Sequence, residues 1–189
     1  MSDSSPPTAR RALLRRGLAL GASALVLGGC ASTPEPADYA GETPLLSLRD
    51  YFNGRLRAHG MFSDRGGRVI KRFVVDLQGR WQGNEGVLEE DFLYSDGTRQ
   101  RRVWRLTETA PGRWRGLADD VVGEAIGESA GNALHWRYRL RLPVDGSVYE
   151  VDFDDWMLLI DERVMLNRAH MSKFGVLLGE VTLSFEKLP

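Results

Sequence analysis

The chain has 189 residues, 42% hydrophobic and 27% charged, with a formal net charge of −1 and a single cysteine. That length and balance read as one ordinary globular domain. The near-zero charge provides no electrostatic footprint for nucleic acid, and one cysteine leaves no pair for an internal disulfide.

Residues 1–29 read as a lipoprotein signal peptide. Arg10, Arg11, Arg15 and Arg16 lead into the apolar run Leu18–Leu27, too short for an ordinary transmembrane helix. Leu27-Gly28-Gly29-Cys30 then resembles a lipobox, whose small residues let the backbone fit a signal peptidase before the Cys30 sulfur takes a diacylglycerol, palmitate-type anchor. Arg10-Arg11-Ala12-Leu13-Leu14 also resembles a twin-arginine export motif without the usual Ser or Thr before the pair, so both export routes stay open. Ala31 stands where Asp would signal inner-membrane retention, which points to the periplasmic face of the outer membrane. Residues 30–43, rich in Pro, Ser, Thr and acid, read as the lipidated cysteine and a flexible tether.

Residues 44–189 form the expected folded domain. Leu45–Phe52 fits one short helix or 3₁₀ turn, with Leu45, Leu48 and Phe52 on one face as a plug, ended by Asn53-Gly54. Strand signals follow at Arg55–Phe62, Arg68–Leu77, Trp81–Gly83, Val87–Tyr94, Arg99–Thr107, Arg113–Ala118 and Val121–Ser129. Turn signals separate them, among them Gln78-Gly79-Arg80 and Asp96-Gly97. Trp156–Asn167 and Glu180–Lys187 close the series, with a possible helical turn at Ala169–Leu178. Turns roughly every ten residues are an all-β signature. The expected fold is all-β: an antiparallel up-and-down, lipocalin-like barrel of about 8–10 strands, closed so that no edge is exposed, with a β-sandwich as the alternative.

The clearest element is a hairpin about Asp145-Gly146. A two-residue Asp-Gly turn between alternating runs sets the register. It places Leu142 opposite Tyr149, Leu140 opposite Val151 and Tyr138 opposite Phe153. On the other face Arg141 meets Glu150, Arg139 meets Asp152 and Arg137 meets Asp154. A slip of one residue would break both sets, so the register is strongly specified.

No established catalytic pattern emerges. His59, His135 and His170 are far apart with no metal-ligand spacing, no Ser sits in a G-x-S-x-G elbow, and the Gly pairs lack a following helix, so neither a metal nor a cofactor is expected. Glu89-Glu90-Asp91 and Asp119-Asp120 read as surface and turn charge, and Asp152 and Asp154 face Arg in the deduced register. An enzyme is the weakest of three readings: it requires Asp155 or Asp154 beside a cavity without an Arg partner.

The apolar face is the better candidate. Tyr138, Leu140, Val151, Phe153 and Trp156 would line a lumen, with Asn167, Arg168 and Lys173 clustered just beyond a strand. Two roles fit Arg168 and Lys173: meeting a ligand head group at an apolar mouth, or satisfying carbonyls at the barrel end.

Several motifs carry a family resemblance. They are Asp50-Tyr51-Phe52-Asn53-Gly54, Gly60 with Asp64-Arg65, Phe92 with Asp96-Gly97, Arg102-Val103-Trp104, Gly116 with Asp120-Val121-Val122-Gly123, and Gly131-Asn132-Ala133. The most specific are Asp154-Asp155-Trp156-Met157 and Met171-Ser172-Lys173-Phe174-Gly175. Over Leu45–Pro189 the chain resembles the DUF3833 family of uncharacterised proteobacterial lipoproteins. The resemblance implies a lipid-anchored periplasmic domain, has no catalytic residues to carry over, and points towards lipid or envelope-stress roles.

The expected function is therefore an outer-membrane-anchored barrel that binds a fatty acid or other apolar ligand. The alternative is a lipoprotein with a filled core that works through an envelope protein partner. Nucleic acid is not an expected partner.

Overall fold

The alternating runs do form strands, and their pairing closes on itself. The computed structural model describes residues 33–144 and 146–189. The expected signal peptide, Cys30 and Asp145 lie outside the described residues. Ten antiparallel strands follow in chain order: β1 (Gly54–Asp64), β2 (Val69–Gln82), β3 (Glu85–Tyr94), β4 (Arg99–Ala110), β5 (Arg113–Leu117), β6 (Ala125–Ala130), β7 (Ala133–Val144), β8 (Ser147–Leu159), β9 (Val164–Lys173) and β10 (Val176–Lys187). Each pairs with its sequence neighbours, and β10 returns to β1 with Leu56 opposite Lys187 and Asp64 opposite Gly179. This is the expected up-and-down barrel, not a sandwich, and closure leaves no edge strand, although the short β5 and β6 leave parts of β4 and β7 without a strand neighbour.

The β7–β8 hairpin has the deduced register residue for residue, from Arg137 opposite Asp154 to Val144 opposite Ser147. Gly146 takes a positive φ, as the tight turn requires. Tyr138 and Phe153 stack with ring centroids 5.0 Å apart. The charged face is less regular than the register implied. Arg139 pairs with Asp152 at 2.8 Å, but Asp154 is taken by His135 Nε2 at 3.1 Å.

Three local expectations need correction. Gly79 is not a turn; β2 runs straight through it. A Cβ there would lie 1.5 Å from the Phe52 carbonyl oxygen, so glycine is needed because the plug presses against the strand. The possible helical turn at 169–178 is instead the β9–β10 hairpin, turning at Phe174-Gly175. The chain between Trp156 and Asn167 is two strands, parted by Asp161, whose carboxylate accepts from the Arg163 and Val164 amides at 2.8 Å.

One end of the barrel is closed by α1 (Leu48–Tyr51), capped by Ser47. Leu48, Tyr51 and Phe52 are buried, whereas Leu45 is 72% exposed and does not share their face. The Tyr51 hydroxyl donates to the Arg163 carbonyl at 3.0 Å. Lys187 Nζ donates to the carbonyls of Asp50, Tyr51 and Asn53, satisfying the groups that the short helix leaves free at its C-terminus. The stretch expected as a tether is ordered in part. Pro36–Tyr39 forms a 3₁₀ turn, the Tyr39 ring lies 5.6 Å from that of Trp156, and the Tyr39 carbonyl sits where a Cβ on Gly131 would be.

Candidate functional site: an acid-lined barrel cavity

The barrel is not filled. A cavity of about 760 Å³ runs from Leu48 and Phe52 at the plug to Lys71, Thr98, Arg99 and Arg141 at the opposite end. That volume falls within the range of small-molecule sites. Its walls are mainly aromatic and aliphatic: Phe73, Phe92, Trp104, Trp136, Tyr138, Phe153, Leu140 and Met171 all border it. Trp136 reaches this position because Gly116 and Gly127 leave room for it; a Cβ on Gly127 would meet the indole at 2.0 Å.

Polar groups enter this apolar space at two places. On β8, Asp155 is 4% exposed and faces inward beside Val151 and Phe153. Its carboxylate accepts from the Asn167 side-chain amide on β9 and, at 3.5 Å, from the Tyr138 hydroxyl on β7. No cation pairs with it among the described residues. Burial pushes its pKa up to about 7, against the opposing effect of those two hydrogen bonds. Burial likewise raises the Tyr138 phenol well above its ordinary value, with the Asp155 charge adding to the effect, so the hydroxyl stays a donor.

The second group centres on Glu90, 8% exposed on β3, opposite Arg102 on β4. Burial raises Glu90 to about 7 against the pull of Arg102, whose nearest nitrogen lies 3.8 Å away. The guanidinium is committed elsewhere. It donates to Asp120 through Nε at 2.9 Å and lies 2.8 Å from the same carboxylate through its other arm. This pair has a structural reason. Strands β5 and β6 are short, and residues 118–124 fill the seam that they leave. In that segment Val122 N–H donates to the Arg139 carbonyl and Arg141 N–H to the Asp120 carbonyl. Asp120 anchors the segment to β4 across the seam.

Of the residues expected to hold a ligand, Tyr138, Leu140, Phe153 and Asn167 border the cavity. Val151 is buried in the wall without reaching it. Trp156 lies on the outer face, stacked on His135 at 4.3 Å. Arg168 also points outward, 2.7 Å from Glu180. Lys173 stands at the open rim, its Nζ 4.6 Å from the Tyr149 ring centre and beside Phe174, which is 91% exposed. Val144, Val148 and Val176 are exposed in the same two hairpin tips. Among the described residues no three His, Cys, Asp or Glu side chains come together as a metal would need.

Sequence reasoning missed Glu90, Arg102 and Asp120 as interior groups and named Asp155 only under the enzyme reading, the weakest of the three. For three of them a signal was present. Glu90 alternates in phase with Leu88 and Phe92, Arg102 with Trp104 and Leu106, and Asp155 with Val151 and Phe153. Strand parity puts each on the apolar face.

Residues 24–187 match the family described as protein of unknown function (DUF3833). The chain belongs to the DUF3833 family. No curated protein matches it. Among solved structures, the S-type phycobiliprotein lyase CPES from Guillardia theta superposes with a TM-score of 0.57 at 6% identity, over 76% of this chain and 94% of that one. A protein of unknown function from the DUF3598 family of Nostoc punctiforme matches with a TM-score of 0.49 at 14% identity, over 84% of this chain and 53% of that one. EF1p2_mFAP2b bound to DFHBI matches with a TM-score of 0.41 at 10% identity, over 75% of this chain and all of that one. At these identities what this DUF3833 protein shares with the lyase is the lipocalin-like barrel fold.

Proposed function

We propose that this DUF3833 protein is a lipid-anchored binding module of the cell envelope that holds a small, largely apolar ligand inside its barrel. The cavity carries the reading: about 760 Å³ of mainly aromatic and aliphatic space, closed by α1 at one end and bordered by basic residues at the other. A fatty acyl chain suits those walls. The head group of a fatty acid would not meet Arg168, which faces outward, but Arg99 and Arg141, neither of which forms an ion pair among the described residues. Purified protein is expected to take up a fluorescent fatty-acid probe at micromolar concentration, with the probe's emission rising as it leaves water. An intact barrel by circular dichroism with no uptake would sink the reading.

The anchor belongs to the same proposal. Lipidation at Cys30 and export to the periplasmic face of the outer membrane rest on the order of basic residues, apolar run and lipobox. Cys30→Ala is expected to move the protein out of the membrane fraction after cell lysis. Unchanged sedimentation with the membranes would count against the anchor.

One observation favours a second reading. Asp155 meets the condition set for an enzyme: a carboxyl group beside a cavity, without a cationic partner and with its pKa raised to about 7. As a general base it would move a proton on an apolar substrate, with the Tyr138 hydroxyl as donor. That role requires Asp155→Asn to reproduce the cellular phenotype of Cys30→Ala. A normal phenotype for Asp155→Asn beside a clear one for Cys30→Ala removes it.

A further inference from the structure

We infer that the ligand carries a hydrogen-bond-donating group, strongest as a protonated amine, within an otherwise apolar body, and that Asp155 and Glu90 receive it. The inference rests on the cavity-binding reading and names the chemistry of the ligand's interior part. Strands β3 and β8 lie five places apart either way round the ten-strand ring, so Glu90 and Asp155 approach the lumen from opposite walls. Both border the cavity, and the Glu90 charge adds to the cost of ionising Asp155.

Neither carboxyl group is saturated. A carboxylate offers about four acceptor positions. Asp155 accepts from Asn167 and, at the long distance of 3.5 Å, from Tyr138. Glu90 has one side-chain hydrogen-bond partner, Trp104, and Arg102 no nearer than 3.8 Å. Among the described lining residues, Lys71, Arg99 and Arg141 stand at the open end, and Arg102, the cation beside Glu90, gives its bonds to Asp120. An apolar ligand that filled this space would strip water from two under-partnered acids and leave them uncompensated, which is costly. A donor set against either acid restores bonds lost there. A protonated amine also supplies the missing charge, whereas a fatty acid with its carboxylate at Arg99 and Arg141 would set only its apolar tail against the two acids.

The test uses single-chain amphiphiles of one length competing for the barrel against diphenylhexatriene, an apolar probe with no polar group. At about pH 8, where both acids are ionised in the empty protein, dodecylamine is expected to displace the probe at a concentration at least about tenfold lower than dodecanoate, with dodecanol between them. The amine's advantage should shrink as pH falls to about 5.5 and both acids take up protons. Asp155→Asn with Glu90→Gln should narrow the amine-to-acid ratio by about tenfold or more. Dodecanoate binding as tightly as dodecylamine, or a preference with no pH dependence in the wild-type protein, would overturn the inference while leaving cavity binding intact. The pH series keeps the question decidable if the double variant does not fold. Absence of any diphenylhexatriene uptake overturns the cavity reading and this inference with it.

Discussion

Asp155→Asn is expected to make the protein more stable than wild type at about pH 8, by up to about 4 kcal/mol, and to flatten much of its pH dependence. In the folded chain burial holds the Asp155 pKa at about 7, above its ordinary 3.8. The folded state therefore keeps a proton that the unfolded chain has given up. Between about pH 4 and pH 7 the folded form binds more protons than the unfolded form, so stability falls as pH rises, and above pH 7 the loss is complete. Glu90, raised from 4.5 to about 7, acts in the same direction. Its share of the slope should remain in the single variant and disappear on adding Glu90→Gln. The carboxylates held below their ordinary values, Asp96, Asp161 and Glu180, act in the opposite direction and mainly below about pH 5, at the lower end of this window. An amide has no proton to lose, and it fits: its oxygen can accept from Asn167 while its nitrogen donates to the Tyr138 oxygen. Urea unfolding at a series of pH values measures the effect. Wild-type stability that climbs from pH 5 to pH 8 would show that Asp155 is not the buried acid described above.

Phe52→Ala is the second large effect, with an expected loss of about 3–5 kcal/mol. The Phe52 ring is buried, meets Phe185 edge-on at 5.9 Å and forms part of the floor of the cavity. Removing it forfeits the transfer free energy of a large side chain. The neighbouring atoms cannot collapse into the gap, because it opens directly into existing empty space, so the cost should fall in the upper part of that range. Leu45→Ala is the contrast. Although the sequence pattern put Leu45 on the same face, it is exposed, and its truncation should change stability by less than about 0.5 kcal/mol. Equal losses in the two variants, read from thermal or urea unfolding, would mean that α1 does not plug the barrel in this way.

These two expectations also mark where sequence reasoning succeeded and where it stopped. The β7–β8 register was legible to the last pair because alternation and an Asp-Gly turn constrain the same variable independently. The short plug was legible as Leu48 and Phe52, but the face assigned to Leu45 was not real, since a four-residue helix is too short for its period to reach three residues upstream. Gly79 was misread because a glycine forced by a neighbouring carbonyl looks, in one dimension, like a glycine chosen for a turn. Trp156 was assigned to the lumen on its chemistry, although its parity opposes that of Phe153 and Asp155. Had parity been given more weight than residue type, Asp155 and Glu90 would have been placed inside and Trp156 outside.

The sequence by itself determined the all-β class, most of the strand series and the partners within the central hairpin, since these follow from local periodicity and from conformations that only certain residues adopt. Within that hairpin its alternation also determined which side chains of Tyr138–Leu142 and Tyr149–Phe153 share a face. Only the tertiary structure decided that the sheet closes through β1 and β10, that the closed interior stays partly empty, and that acids from opposite walls border it. Closure depends on pairings between residues more than a hundred positions apart, and an empty interior on how side chains from ten strands fail to fill a volume. No local pattern encodes either quantity. The two buried acids follow from the same limit: parity can turn a carboxyl group inward, but only the fold shows whether a cation waits for it.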